Sequence, residues 1–289
     1  MTRPWRTLVD PAALMAALPD ATLRIVDCRF TLAIAGAADE AGEAAWRAAH
    51  IPGATYAHLE RDLSGAKGGG RGRHPWPGAD AFAETLSRLG IAPRMQVVAY
   101  DDSDGAFAAR LWWLLQSAGH REAAVLDGGW AAWQAAGLPV ASSPREVAHA
   151  PHPPRAFDET RLLRDADAVR RHLDAGGLLI DARAPARFRG EVEPLDPRAG
   201  HVPGACNRPY TANMEAGRFK PAAALAAEFE VLLAGRAPAE VAVMCGSGVT
   251  ACHHLLALAH AGLEGAKLYA PSWSGWVDDP TAEVATGSD

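Results

Sequence analysis

Residues 49–54 read Ala-His-Ile-Pro-Gly-Ala, and residues 200–205 read Gly-His-Val-Pro-Gly-Ala. Three further short matches occur in the same order in the two halves of the chain. They pair residues 26–29 with 180–183, 97–101 with 241–245, and 130–133 with 273–276. The offset between partners falls from 154 positions (26 to 180) to 143 positions (130 to 273), as loops of different length would produce. Ordered self-similarity of this kind indicates a duplicated domain.

Each half alternates short apolar runs with helical patterns. The runs cover residues 23–26, 97–100 and 123–126 in the first half, and 178–180, 241–244 and 266–269 in the second. Runs this short, without polar alternation, favour strands that are covered on both faces, as in a parallel sheet between helices. Asp10 and Asp165 precede the first helical pattern of each half and are expected to be N-caps. The sequence therefore predicts an α/β fold with two tandem domains, each a mainly parallel sheet flanked by helices.

A proline-rich stretch separates the two halves. Five prolines lie between residues 139 and 154, where they remove backbone donors and block regular structure. We expect a first domain over residues 1–140, a linker over 141–157 and a second domain over 158–289. The length of 289 residues is also in the range of two domains.

Composition excludes several classes of protein. With 49% hydrophobic and 21% charged residues, the chain has the composition of a globular protein and not that of a disordered segment. The formal net charge of -6 argues against nucleic acid or an anionic membrane as a partner. No uncharged apolar stretch approaches the ~20 residues of a membrane span, and no secretory leader is evident, so we expect a cytoplasmic chain.

The four cysteines show no pair at metal-ligand or dithiol spacing, so neither a structural metal nor a disulfide is expected. Cys245 is different from the other three. It directly follows an expected buried strand, and the Gly-Ser-Gly-Val-Thr-Ala of residues 246–251 leads into a helical pattern. Inward-turned loop N–H groups and the helix dipole favour a thiolate at this point, and the thiolate is the reactive form of cysteine. The sequence predicts a nucleophile at Cys245, whereas the matching residue of the first half is Asp101, which cannot carry covalent sulfur.

Taken together, these motifs resemble the two-domain rhodanese family over nearly the whole chain. They are the two His-(Ile/Val)-Pro-Gly-Ala motifs, Asp181-Ala182-Arg183, the Cys-Gly-Ser-Gly-Val-Thr-Ala loop and Ser272-Trp273-x-x-Trp276. The resemblance implies a cofactor-free sulfurtransferase whose first half is catalytically silent. It also implies that Cys245 accepts sulfane sulfur as a persulfide and passes it to cyanide or to a thiol such as thioredoxin.

The residues after the cysteine indicate which sulfur donor the resemblance favours. Family members that prefer thiosulfate carry Arg-Lys there, whereas members that prefer 3-mercaptopyruvate carry Gly-Ser, as Gly246 and Ser247 do in this chain. A less cationic loop suits a monocarboxylate. The resemblance is therefore greatest to the mercaptopyruvate-preferring members, which release pyruvate, and thiosulfate:cyanide sulfurtransferase is the alternative.

The resemblance also implies a proton relay, because the departing pyruvate carbon needs a proton. Ser247 matches the loop serine of that relay. His74 and Asp62 match a histidine and an aspartate that reach over from the first domain in the family.

Arginines are the residues expected to bind the substrate carboxylate, because the planar guanidinium group binds a carboxylate through two hydrogen bonds. Arg187 occupies a substrate-arginine position of the family. Arg183 either faces the substrate or braces its loop through an ion pair. Animal members carry a second substrate arginine where this chain has Asp196, and Arg198 is a candidate to compensate. The remaining expected substrate-binding residues belong to the loop: Gly246, Gly248, Val249 and Thr250.

Two other functions share parts of this pattern. A cysteine phosphatase has the same strand, loop and helix, but requires Arg six residues after the nucleophile, where this chain has Ala251. A non-catalytic binding scaffold predicts loss of the nucleophile, and Cys245 is present. Both functions are disfavoured.

Overall fold

The computed structural model describes residues 4–32, 40–142 and 147–288. The chain forms two compact units, one of Met1–Ser64 with Pro77–Phe157 and one of Gly65–Trp76 with Asp158–Asp289. A short segment from the first half of the sequence, residues 65–76, thus belongs to the second unit, although it lies within the expected first domain of residues 1–140. Residues 143–146 of the expected linker, with Pro144, lie outside the described residues.

The first unit is built on a five-stranded parallel sheet in the order β1-β5-β4-β2-β3. Its elements are β1 (Leu8–Val9), α1 (Pro11–Ala17), β2 (Leu23–Asp27), α2 (Ala41–Ala48), β3 (Thr55–Tyr56), α3 (Leu59–Asp62), α4 (Ala79–Arg88), β4 (Gln96–Tyr100), α5 (Ala108–Ser117), β5 (Ala123–Leu126) and α6 (Gly129–Ala135). Asp10 caps α1 as expected, because its carboxylate accepts the N–H groups of Ala12 and Ala13.

The second unit repeats this order with the sheet β6-β12-β11-β7-β8, again parallel. Its elements are β6 (Leu162–Leu163), α7 (Ala166–Asp174), β7 (Leu178–Asp181), α8 (Pro185–Phe188), β8 (Ala205–Asn207), β9 (Met214–Glu215), β10 (Arg218–Phe219), α9 (Ala222–Leu233), β11 (Val241–Met244), α10 (Thr250–His260), β12 (Lys267–Tyr269) and α11 (Ser272–Trp276). Strands β9 and β10 form a separate antiparallel pair. Asp165 caps α7 through the N–H of Ala168.

The central strands are buried on both faces, which explains their continuous apolar sequence. In the first unit Val98 and Tyr100 of β4 pack in one cluster with Leu14 of α1 and Trp130 of α6, while α5 packs against β4 and β5. The second unit has a corresponding cluster. There Ala242, Met244, Val169 and Trp273 take the places of those four residues. The predicted duplicated α/β fold is confirmed, and the two units share one strand order and corresponding core positions.

Among the described residues, no helix has both the length and the apolar character to cross a membrane.

Candidate functional site

Cys245 lies at the end of β11, where the strand passes into the loop before α10, as the sequence predicted. Its side chain is buried. The backbone N–H of Cys245 donates to the hydroxyl of Ser272 (3.1 Å), and its carbonyl accepts the N–H of Trp273 (2.9 Å). The hydroxyl of Ser272 in turn donates to the carbonyl of Tyr269 (2.9 Å). The first residues of α11 thus fix the backbone of the cysteine.

Two glycines shape the loop after the cysteine. Gly248 has a φ of +75°, which side chains other than glycine rarely adopt. A Cβ on Gly246 would lie 3.1 Å from Nη2 of Arg73 and 3.3 Å from Nη1 of Arg187. Gly246 therefore lets two guanidinium groups approach the backbone next to the cysteine. Val249 is buried at the end of the loop, and Thr250 is the first residue of α10.

The corresponding loop of the first unit already holds an anion, the side chain of Asp101. This carboxylate accepts four backbone N–H groups at 2.7–2.9 Å, those of Ser103, Gly105, Phe107 and Ala108. Burial raises the pKa of the Asp101 carboxyl to about 6, although the four N–H groups oppose that rise. A strand-to-helix loop of this fold can therefore direct its amides at the side chain of its first residue. That arrangement is the one we expect to stabilise a thiolate in the second unit, where it stays a prediction.

His74 and Ser247 lie in contact within the second unit. Nδ1 of His74 is 2.8 Å from Oγ of Ser247, and both side chains are buried. The segment that carries His74 is held by two backbone bonds: Arg73 N–H donates to Ser274 Oγ (3.0 Å), and Gly70 N–H donates to Asp278 (2.8 Å). An acid–base side chain is thereby positioned on the loop that begins with the cysteine.

Asp62, the third residue of the expected relay, ends α3 in the first unit. Its carboxylate accepts the N–H of His58 at 2.8 Å and pairs with Arg88. These contacts are internal to the first unit and give Asp62 a local structural role. Its participation in a relay stays a prediction.

Arg183 has the contacts of a brace. Its guanidinium donates to both carboxylate oxygens of Asp181 and to the carbonyl of Gly200 (2.7 Å), and it lies 4.5 Å from the ring centroid of Trp273. The first unit repeats this arrangement with Arg29, which pairs with its own aspartate and lies over a tryptophan. Because the unit without the cysteine has the same arrangement, the ion-pair interpretation of Arg183 is favoured over substrate contact.

Arg187, on the short helix α8, reaches the loop that follows Cys245. Its guanidinium donates to both carboxylate oxygens of Glu193 at 2.7–3.1 Å and to Asp196 at 3.2 Å. The same group lies beside Gly246, as the Cβ position of that glycine shows. The expected substrate arginine is thus next to the cysteine loop, and two acidic side chains orient it.

Arg198 does not lie beside Arg187 and Gly246. Its half-buried side chain donates to the carbonyl oxygens of Asp279 (3.5 Å) and Pro280 (3.3 Å). The second guanidinium beside Gly246 instead belongs to Arg73, which also forms an ion pair with Asp196. Sequence reasoning missed Arg73, and the one available signal was its position directly before His74.

The other cysteines have the contacts of packed residues. Burial raises the pKa of Cys28, and it raises that of Cys206 to about 11. The thiol of Cys252 donates to the carbonyl of Gly248 at 3.3 Å. In the part of the chain that the structure describes, no three His, Cys, Asp or Glu side chains form a candidate metal site.

The geometry defines a duplicated α/β protein in which a buried cysteine, Cys245, follows β11 in the second unit, where Asp101 follows β4 in the first. Residues 10–136 and 165–279 both match the rhodanese-like domain family. This chain therefore belongs to the rhodanese family, as the sequence motifs indicated.

Three relatives illustrate the similarity. A probable 3-mercaptopyruvate sulfurtransferase of Pseudomonas aeruginosa is 46% identical over 97% of this chain and 98% of its own. A putative thiosulfate sulfurtransferase, SseB of Mycobacterium tuberculosis, is 40% identical over 86% of this chain and 87% of its own. The crystal structure of SseA from Escherichia coli, a 3-mercaptopyruvate sulfotransferase with the rhodanese fold, superimposes with a TM-score of 0.79 at 30% identity, over 93% of this chain and all of its own.

Proposed function

We propose that this protein is a sulfurtransferase that takes sulfur from 3-mercaptopyruvate and passes it to a thiol or to cyanide. The observation that carries the choice of donor is the contact between His74 and Ser247 on the loop of Cys245. Cleavage of a carbon–sulfur bond leaves a carbanion equivalent that needs a proton. A histidine in contact with a serine hydroxyl can supply that proton. A donor whose leaving group needs no proton would not use it.

Donor binding uses the guanidinium groups beside Gly246. Arg187 and Arg73 both lie against this glycine, next to the nucleophile. Guanidinium groups bind carboxylates through charge-assisted hydrogen bonds, so they suit the carboxylate of 3-mercaptopyruvate. Binding there orients the sulfur of the donor toward Cys245 and converts attack into an intramolecular step.

Sulfur transfer begins with attack of the Cys245 thiolate on the donor sulfur. A sulfur–sulfur bond forms and the carbon–sulfur bond breaks, and the electron pair of the broken bond goes to carbon as the enolate of pyruvate. The enolate takes a proton through Ser247, which recovers it from His74. The products of this half-reaction are pyruvate and a Cys245 persulfide.

The second half-reaction regenerates the cysteine. The thiolate of an acceptor, such as thioredoxin or a small thiol, attacks the outer sulfur of the persulfide. The bond between the two sulfurs of the persulfide breaks, and Cys245 leaves as the thiolate that started the cycle. Neither half-reaction requires a cofactor.

Thiosulfate is the second candidate donor. It is supported by the relative named a thiosulfate sulfurtransferase and by the two guanidinium groups beside Gly246, which also suit a sulfonate. Its leaving group, sulfite, takes the electron pair of the broken sulfur–sulfur bond and needs no proton. The residues at positions 246 and 247 favour the mercaptopyruvate donor.

Steady-state kinetics with both donors tests the assignment. We expect a higher kcat/KM for 3-mercaptopyruvate than for thiosulfate, with pyruvate formed in proportion to sulfur transferred. A higher kcat/KM for thiosulfate would reverse the donor assignment. Absence of turnover with both donors, in a protein that carries a reactive thiol, would remove the proposed function.

A further inference from the structure

A compact group of charged side chains lies beside the reactive loop and surrounds Asp196. Arg73 and Arg187 both approach Gly246, and both contact Asp196. The side chain of Asp196 is only 3% exposed, so solvent screens its charge weakly. All of these residues belong to the second unit. Asp196 is therefore a buried carboxylate that bridges the two guanidinium groups expected to bind the donor.

Glu193 holds the turn that presents Asp196. Its carboxylate accepts the backbone N–H groups of Leu195 (3.0 Å) and Asp196 (3.2 Å) as well as the guanidinium of Arg187. It also receives a longer contact from Arg183 at 3.4 Å. The position of Asp196 is thus set by its own backbone as well as by its ion pairs.

The charges of this group cancel. Arg183 is paired with Asp181, and Arg187 is paired with Glu193. The positive charge that remains, on Arg73, is paired with Asp196. Three guanidinium groups and three carboxylates leave no net charge beside Gly246, although the guanidinium groups of Arg73 and Arg187 face the loop.

We propose that Asp196 makes this enzyme select a singly charged donor over a doubly charged one. The inference rests on the proposed function and deepens it, because it names a residue that determines the donor class. Attraction between the site and an anion scales with the product of their charges, so a carboxylate that offsets Arg73 penalises a dianion about twice as much as a monoanion. Asp196 does not contact the reacting atoms in this scheme; it acts through Arg73 and Arg187 as a positioning and charge-setting residue.

The kinetic test is Asp196→Asn, which keeps an oxygen for the arginines and removes the charge. We expect the ratio of kcat/KM for thiosulfate to that for 3-mercaptopyruvate to rise about threefold, mainly through a lower KM for thiosulfate. Asp196→Glu restores the charge and is expected to restore the ratio. Asp167→Asn is the matched control, because Asp167 forms an exposed ion pair with Arg170 and its change should leave the ratio unaltered.

A purely structural role for Asp196 would lower kcat/KM for both donors by the same factor, and that result overturns the inference. Asp196→Ser makes the same charge change with a smaller side chain, if the asparagine variant does not fold. An unchanged ratio in the folded variant overturns the inference equally.

A binding measurement separates this inference from the proposed function. In a Cys245→Ser background, calorimetry with sulfate and with acetate reports dianion and monoanion binding without any turnover. We expect Asp196→Asn to tighten sulfate binding about tenfold and acetate binding by about threefold. If the enzyme turns over neither donor but this difference appears, the proposed function fails and the charge inference stands. If turnover is normal and the difference is absent, only the charge inference fails.

Discussion

The imidazole Nδ1 of His74 lies 2.8 Å from the hydroxyl Oγ of Ser247, although 173 positions separate the two residues in the sequence. The contact exists because residues 65–76 are part of the second unit, tied to it through Ser274 and Asp278. The same segment places Arg73 beside Gly246, in the loop that follows Cys245. A dozen residues of the first half thus place a histidine and an arginine beside the loop that follows Cys245 in the second.

Removal of the imidazole should affect the two donors differently. We expect His74→Ala to lower kcat/KM for 3-mercaptopyruvate about 100-fold, the range of a lost proton donor, and to change the pH profile of the reaction. The rate with thiosulfate should change much less, because sulfite leaves without a proton. Steady-state rates from pH 6 to 9 with each donor measure both effects.

A double-mutant cycle with Ser247→Ala provides the control for this pair. If His74 acts through Ser247, the double variant should be no slower than the slower single variant. Fully additive losses would show that the two side chains act independently. His74→Asn keeps a nitrogen or oxygen near the position of Nδ1 and should retain the fold of the segment.

The thiol of Cys245 should be indispensable. Cys245→Ser is expected to abolish turnover with either donor, because a hydroxyl does not form a transferable persulfide. After treatment with 3-mercaptopyruvate, mass spectrometry of the unmutated protein should locate one added sulfur on the peptide that contains Cys245. Cys206→Ala, which changes a partly exposed thiol with a raised pKa, is the control and should keep full activity. Turnover by the serine variant would refute the mechanism.

The brace made by Arg183 should contribute strongly to stability. Arg183→Met leaves the carboxylate of Asp181, which is fully buried, without its cation, and we expect a loss of about 3–5 kcal/mol in the free energy of unfolding. Arg189→Met removes an exposed ion pair with Glu191 and should cost much less, because solvent screens an exposed pair. Urea denaturation of both variants gives the comparison. Equal losses in the two would mean that burial of the Arg183 pair has no special effect.

Stability at acidic pH should depend on His254. Burial lowers the pKa of this histidine to about 3, and its Nε2–H donates to the carbonyl of Arg208 while Nδ1 accepts from Asn213. The unfolded chain therefore binds a proton below about pH 6.5 that the folded chain does not bind. Above pH 6.5 His254 is neutral in both states and does not lower the free energy of unfolding. As the pH falls from 6.5 toward 3, the free energy of unfolding decreases by about 1.4 kcal/mol per pH unit because of this histidine.

The measurement is the free energy of unfolding of His254→Gln and of the unmutated protein at pH 7 and pH 5. The variant should lose less stability on acidification, because it has no imidazole to protonate on unfolding. Asp101 affects the free energy of unfolding with the opposite sign, because its raised pKa near 6 makes the folded state bind the extra proton. This effect is the same in the variant and the unmutated protein, so it cancels when the two are compared. His149→Gln, in an exposed part of the chain, is the control for the substitution itself. An identical slope for the His254 variant would contradict the assignment.

Much of the fold followed from short-range patterns in the sequence. The strands at Val241–Met244 and Ala123–Leu126 were predicted to the residue, and the caps at Asp10 and Asp165 were correct. These features depend on side-chain periodicity and on hydrogen bonds between near neighbours, which a sequence displays directly.

The sequence by itself determined that the chain is duplicated, that each half is a parallel α/β layer structure, and that a cysteine in one half follows a central strand. Only the tertiary structure decided that residues 65–76 join the second unit, that Arg73 and not Arg198 is the second cation beside Gly246, and that Asp196 bridges Arg73 and Arg187. The physical reason is that such partnerships arise from the packing of segments far apart in the chain. No local periodicity encodes which distant carboxylate a given arginine will meet.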